Sequence, residues 1–400
     1  MSPLPLFPVT TVGSWPRPAS VLAAQRAFRR NELSGTSFDR IVDEGVRELV
    51  EHLDALGVDI VTDGELRRDN FYSFIARKCA GVQLFTLAEM LDLVEDKASF
   101  ERLLETLDVP SYAISNPCAV GRLERREPLT VDDLRFVRRH TDRAVKVTLP
   151  GPYLLTRAMW VPEVTRATYA TKEELAEDVV RVLRDEVVDL VRERVDFIQF
   201  DEPILSEVAF APGRTRTFMC AALATRGDPA EELEFAVSLI NRVVEGVGDV
   251  RTGVHVCRGN WSRDESTLLS GSYHPLRPFL SRLSVDQLVL EYATDRAGGI
   301  LEFPGKEIGL GVVNPRISEV EQVADVVQAT RQALALYPAE KIFLNPDCGF
   351  GTFSNRPVNE PDVARRKMIT MVDAARQLRA EFGHRGAAEA PASSFQQQRE

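Results

Sequence analysis

The chain is short of the residues on which small secreted folds and nucleic-acid binders rely. Its 400 residues include five cysteines and five histidines. Cys79, Cys118, Cys220, Cys257 and Cys348 are odd in number and scattered, which excludes a disulfide framework and leaves thiols for metal or chemistry in a reducing compartment. No run approaches the roughly eighteen apolar residues that span a bilayer. The opening MSPLPLFPVTTVGSWPRP lacks the cationic segment and apolar core of a secretory signal, so a cytoplasmic protein is expected. Basic charge is short as well: 49 Lys and Arg against 60 Asp and Glu leave a formal charge of −11. Phosphate backbones and anionic membranes are gripped through basic surfaces, so neither is an expected partner. A small molecule is, and an oligomer is open. The strings GLG (309–311) and GFG (349–351) lack GxGxxG spacing and receive no phosphate role.

What the chain has is repetition of a simple kind. With 44% apolar residues it can bury a large core. Short β-rich runs recur at 9–14, 58–65, 144–152, 196–203, 252–257, 288–293, 307–313 and 341–349, most followed by a helical pattern. Eight such units predict an α/β fold with parallel strands, a (β/α)₈ TIM barrel, with a doubly wound sheet as the alternative. The stretch 66–143 exceeds what one connection needs and is expected to be an insertion between the second and third βα units, over the barrel mouth, with a strand candidate at Cys118–Leu123. Residues 171–195 carry Leu175, Val179, Val182, Leu183, Val187 and Leu190 at three- and four-residue steps, predicting an amphipathic helix. One domain is expected over 1–384 and a disordered tail over 385–400.

In a barrel the chemistry sits at the C-terminal strand ends. The run ends here offer Ser14, Asp63, Glu65, Asp201, Glu202, His255, Cys257, Glu291, Asp347 and Cys348. The strand period of two puts His255 and Cys257 of GVHVCRGNW on one face. Imidazole and thiolate suit zinc, and Glu291 and Cys348, ending neighbouring runs, can complete a His/Cys/Glu/Cys sphere. Ligands dispersed in sequence favour a catalytic over a structural site. The plainer alternative is that a buried Cys packs as a small hydrophobe; Cys79, Cys118 and Cys220 are read that way.

Several motifs together resemble the C-terminal catalytic barrel of cobalamin-independent methionine synthase: TTVGSWPRP, VTDGELRRDNF, LPGP, IQFDEP, HVCRGN, LEYATDRAGG, LGVVNPRI and LNPDCGFGT, in the family's order from residue 9 to about 380. The resemblance implies a zinc-dependent methyltransferase acting on the thiol of homocysteine, with His255, Cys257, Glu291 and Cys348 as metal ligands. It puts the amino-acid thiol site on Ser14, Glu65 and Asp201, the two acids being the catalytic candidates. Two departures stand out. Full-length family enzymes have an additional N-terminal half that helps bind a polyglutamylated folate, for which this chain has no room, and a family histidine proposed as proton donor is replaced within VVNPRI by Asn314 or Arg316.

The chemistry is consistent with that implication. A free thiol is only a few per cent thiolate at neutral pH, and zinc removes the obstacle by stabilising the deprotonated sulfur. Glu65 and Asp201 can neutralise a substrate ammonium, or else be ordinary rim acids paired with Arg67, Arg68 or Arg296. Trp160, like Trp15, offers a plane for a flat methyl donor, or else core packing. The donor is a folate or a methylcorrinoid. Two alternatives accompany this reading: alkyl transfer to another thiol such as coenzyme M, for whose sulfonate Arg258 and Arg316 are available, and a non-catalytic zinc- or thiol-binding barrel.

Overall fold

A computed structural model describes residues 4–86, 88–90, 115–210, 227–354 and 357–388, with side chains to Gly383. Its centre is a parallel sheet of seven strands, β1 (Ile60–Val61), β4 (Ala144–Pro150), β5 (Phe197–Asp201), β6 (Arg251–Val256), β7 (Gln287–Leu290), β8 (Glu307–Val313) and β9 (Ile342–Pro346), adjacent in that order. The order never reverses, so the sheet has no topological switch point and the doubly wound alternative falls. The run expected as a first strand, 9–14, makes only two isolated bridges. Val9 pairs with Leu344 of β9 and Thr10 with Ile60 of β1, both parallel. Backbone hydrogen bonds from Thr10 N to Leu344 O (3.0 Å) and from Ile60 N to Val9 O (3.2 Å) tie both sheet edges to this one segment. The fold is α/β, its parallel sheet curled until the outer strands share a neighbour.

The inward face of each strand changes character along its length, because every second residue points the same way. At the N-terminal end Ile60, Phe197 and Phe343 form an apolar cluster of their own. Two residues further along their strands stand Thr62, Gln199 and Asn345; two further again on β5 and β9 stand Asp201 and Asp347. Buried polar side chains need partners, and the middle layer supplies them. Lys146 Nζ donates to Gln199 Oε1 (3.0 Å) and to the Thr11 carbonyl, while Gln199 Nε2 donates to Val12 O (3.0 Å) and Asp201 Oδ1 (2.9 Å).

The outer layer of helices holds the main apolar core. Among them are α1 (Ala19–Arg29), α2 (Gly35–Leu56), α3 (Pro152–Met159), α4 (Lys172–Arg192), α5 (Pro229–Val244), α6 (Val323–Ala333) and α7 (Pro361–Ala388). Helix α4 lies where the periodicity predicts it. Thr171 caps it by accepting from Glu174 N, and all six predicted apolar residues are buried, each stabilising the packing by roughly 1.5–3 kcal/mol. Helix α7 runs to Ala388, so the expected tail at 385–400 begins within a helix, and the rest of it lies outside the described residues.

Between β1 and β4 in sequence comes an antiparallel ribbon, β2 (Cys79–Thr86) with β3 (Ser115–Arg125), which includes the strand expected at Cys118–Leu123. Its described part packs on α4: Arg125 pairs with Glu186 (2.6 Å) and Asp189 (2.7 Å), and Leu123 N donates to Tyr169 Oη (2.7 Å). Residues 91–114, within the expected insertion, lie outside the described residues. Cys79, Cys118, Cys257 and Cys348 are free and buried, and Cys220 lies outside the described residues. No helix among the described residues is long and apolar enough to cross a membrane.

Burial pulls the Lys146 ammonium down to about 7, against the attraction of Asp201 and Glu65. Between that value and the lysine's ordinary one the unfolded chain binds a proton that the folded chain does not, so stability rises with pH across the window. Wild type is therefore expected to gain stability relative to Lys146→Met as pH rises from about 7 towards 10.5, measured by denaturant midpoints. A difference independent of pH would show that Lys146 keeps its charge.

Candidate metal centre

His255 is the fifth residue of the six-residue β6, and Cys257 follows the strand's last residue. In register His255 lies beside Asp201 of β5 and Val289 of β7. The His255 ring places Nδ1 3.2 Å from the Val289 carbonyl. A carbonyl can only accept, so Nδ1 carries a hydrogen and Nε2 is the nitrogen left for a metal ion to take. Nε2 is buried with no hydrogen-bond partner. Cys348, just past β9, brings its sulfur to the same place: the ligand atoms of His255, Cys257 and Cys348 lie within 4.8 Å of one another. A tetrahedral zinc with bonds of about 2.0–2.3 Å separates its ligands by roughly 3.5 Å, so small side-chain rotations would seat an ion.

The electrostatics of the trio suit a cation. The Cys348 thiol, donating to Cys257, and the adjacent imidazole hold Cys257 down to about 5 although burial opposes this. Cys348 is pushed well above the ordinary thiol range by that same donation and by burial. For His255, burial works against charge, but Cys257, Asp201 and Glu291 outweigh it and carry the ring up to about 9. A thiolate beside an imidazole whose Nε2 can release its proton to an arriving cation is a donor set that a soft divalent ion satisfies.

Glu291, expected as the fourth ligand, is not in that trio. Its Oε1 accepts from Arg316 Nη1 (3.1 Å) and its Oε2 from the Arg258 backbone N (2.9 Å). Arg258 Nη1 and Arg296 Nη2 stand 3.6 and 3.8 Å from Oε2. Of the two residues offered in place of the family histidine, Asn314 donates to Glu265 Oε1 (2.5 Å) and Arg316 points at Glu291.

The expected thiol-binding residues gather at the same rim. Glu65 adopts a left-handed φ of 55°, a conformation that costs a residue with a Cβ about 1 kcal/mol or more and marks functional sites. Its N–H donates to Asp63 Oδ1 (3.1 Å) and its Oε1 accepts from Thr148 Oγ1 (2.9 Å). Arg68 Nη1 stands 3.8 Å from Oε1, while Oε2 is buried without a partner. Burial pushes Asp201 up to about 7. Ser14 packs against the loop that carries Cys348: its carbonyl accepts from Phe350 N (2.9 Å), and a Cβ on Gly349 would come within 2.1 Å of its hydroxyl. Glu202, next to Asp201, faces the other way and accepts from Tyr153 N (2.8 Å) and Leu154 N (3.0 Å) at the start of α3. Burial raises that carboxyl to about 8. Trp160 follows α3 and sits in the main core at 7% exposure. Trp15 meets Phe350 edge-on at 5.5 Å.

A family model described as "Cobalamin-independent synthase, Catalytic domain" matches residues 7–377. The chain belongs to this family. It is a methyltransferase of the cobalamin-independent methionine synthase kind. A methionine synthase of Thermococcus kodakarensis is 30% identical, with 97% of this chain and 98% of that one covered. One of Saccharolobus solfataricus is 28% identical, with 96% and 99% covered. These relatives match the chain over nearly their whole length, without an additional half. Among solved structures, a B12-independent methionine synthase from Shewanella, in complex with selenomethionine, superposes with a TM-score of 0.71 at 22% identity, covering 95% of this chain and 99% of that one. A putative vitamin-B12-independent methionine synthase from Listeria monocytogenes gives 0.65 at 18%, covering 94% and 99%. At these identities the two structures speak for the fold.

Sequence reasoning passed over the residues that support this rim. Lys146 interrupts the apolar run AVKVTLP, and Gln199 stands two residues before Asp201 on its face; both signals were legible. Zinc per chain, measured by atomic absorption after dialysis, is expected to be one for wild type. Affinity is expected to fall roughly 100-fold or more in Cys257→Ser and in Cys348→Ser, at least the upper end of what losing a ligand's supporting hydrogen bond costs. Unchanged stoichiometry in both variants would remove them from the ligand set.

Proposed function

We propose that the chain is a zinc-dependent methyltransferase that moves a methyl group onto the thiol of homocysteine. The observation that carries the reading is the buried His255 Nε2 with no partner, facing two cysteine sulfurs. His255, Cys257 and Cys348 would hold the zinc, with Glu291 in reserve. When bound, zinc supplies stabilisation of a substrate thiolate at neutral pH. Everything else is done by the chain. The open Oε2 of Glu65 accepts from the substrate ammonium, and Asp201, held near neutrality by burial, ionises as that cation arrives. Backbone N–H groups around Ser14 orient the carboxylate. The methyl donor is a folate or a methylcorrinoid, with Trp160 the candidate contact for it, at the mouth of a (β/α)₈ barrel.

Coenzyme M as acceptor is the weaker reading. Its sulfonate needs arginine, and Arg258 and Arg316 are fully buried and already directed at Glu291. Calorimetric titration of the zinc-loaded protein should give binding of homocysteine and none of coenzyme M; the reverse would exchange the two readings. Methionine should form when a methyl donor is added. No product with folate and corrinoid donors alike would favour a non-catalytic barrel.

Removing one partner of a buried charge pair costs about 2–5 kcal/mol. Glu65→Gln is therefore expected to weaken homocysteine binding roughly 30-fold or more while zinc content stays at one per chain. Loss of zinc in that variant would count against a substrate-binding role.

A further inference from the structure

We infer that three arginines of this chain, Arg258, Arg296 and Arg316, hold Glu291 off the metal position, so that His255, Cys257 and Cys348 are the resting ligands and the fourth position is open to an incoming thiol. The inference rests on the proposed metal site and concerns how that site is left vacant for substrate.

Both oxygens of Glu291 are engaged. Oε1 takes the Arg316 Nη1 hydrogen bond at 3.1 Å, and Oε2 takes the Arg258 backbone N–H at 2.9 Å, with Arg258 Nη1 and Arg296 Nη2 within 3.8 Å. Little water reaches these groups: the Arg258 and Arg316 side chains are 0% exposed, that of Glu291 1% and that of Arg296 9%. Arg258 Nη1 and Arg296 Nη2 have no other acceptor, so the charge of Glu291 is what compensates them. Swinging the carboxylate to the metal would strand buried guanidinium groups, which is among the costliest changes a protein interior can undergo.

The arginines cannot follow Glu291, because each is anchored from behind. Arg316 Nη2 stands 3.4 Å from Asp347 Oδ2 and its Nε 3.2 Å from Glu265 Oε1. Asp347 is in turn fixed by the Tyr292 and Ala293 N–H groups, both at 2.9 Å from Oδ1. Arg258 Nε donates to Gly271 O (2.7 Å) and its guanidinium lies over the Tyr273 ring at 3.9 Å. Arg296 Nη1 donates to Leu269 O (2.8 Å). Glu265, Glu291 and Asp347 face the three arginines, so even with all three carboxyls ionised the anions do not outnumber the cations and Glu291 is not a surplus anion awaiting a cation. A sphere of one imidazole and two thiolates around a divalent ion is neutral. A substrate thiolate then enters without expelling a protein ligand.

Cobalt(II) and zinc test this on the full chain, with the visible ligand-field and thiolate charge-transfer bands of cobalt and chelator competition for zinc as readouts. Glu291→Gln, which keeps the shape and one of the two acceptor oxygens, is expected to bind zinc within about threefold of wild type and to leave the cobalt spectrum unchanged. Arg316→Met is expected to release Glu291 and shift the cobalt bands, and the double variant Arg316→Met with Glu291→Gln to restore them. A Glu291→Gln protein with zinc affinity lowered as far as in Cys257→Ser, or with altered cobalt bands, overturns the inference while leaving the metal site standing. Should Arg316→Met not fold, Glu291→Gln alone decides. A wild-type protein that binds neither ion overturns the metal site itself, and this inference with it.

Discussion

The hydrogen bond between His255 Nδ1 and the Val289 carbonyl couples the sheet's register to its chemistry. Because β6 and β7 are paired so that His255 lies beside Val289, Nδ1 is held on that carbonyl and Nε2 is left for the metal position. A slip of one residue between these strands would turn the histidine and the cysteine out of the interior. The site is thus a property of strand pairing before it is a property of any one side chain. Cys348 arrives by the same logic, immediately after a strand whose register with β8 is fixed by ladder hydrogen bonds.

The sheet interior is arranged to make such a rim tolerable. Its N-terminal end is apolar, with Ile60, Phe197 and Phe343 in contact, and the middle layer of Lys146, Gln199 and Thr148 supplies donors directed at the carboxylates above. Thr148 donates to Glu65, and Lys146 orients Gln199, which donates to Asp201. Charges at the rim are therefore buried with oriented dipoles beneath them rather than in hydrocarbon. The neighbouring acid Glu202 is turned outward to the first N–H groups of α3, so one dipeptide serves the site with its first carboxylate and the surrounding helix layer with its second.

Much of this could be read from the residue order. Strand periodicity alone paired His255 with Cys257, the run ends nominated Cys348, Glu65, Asp201 and Ser14, and six of the eight runs are strands of four or more residues. The run at 58–65 keeps only Ile60–Val61 as strand, and the run at 9–14 contributes two bridges. The first departure has a local cause, since Gly64 and Glu65 take left-handed backbone conformations beyond which β1 cannot extend. Glu291 was found at the expected place but in unexpected company. Its partners come from three separate loops, at 258, 296 and 316, and nothing in linear spacing announces that they converge. The same is true of the lysine in AVKVTLP, whose meaning depends on what faces it across the sheet.

The segment around Val9 joins the first and last strands of the sheet, Ile60 on one side and Leu344 on the other. Arg17 adds a second stitch to the far end of the chain, donating to the Gly351 carbonyl across 334 residues of sequence. Closure of this kind brings a late entropic cost, because the loop it completes is almost the entire polypeptide. During synthesis on a ribosome the opening residues would wait, unpaired along one edge, until Leu344 had emerged. The rim carrying Ser14 and Cys348 would therefore be the last part of the molecule to come together, and a chain stalled before β9 would expose an unpaired strand edge to its neighbours.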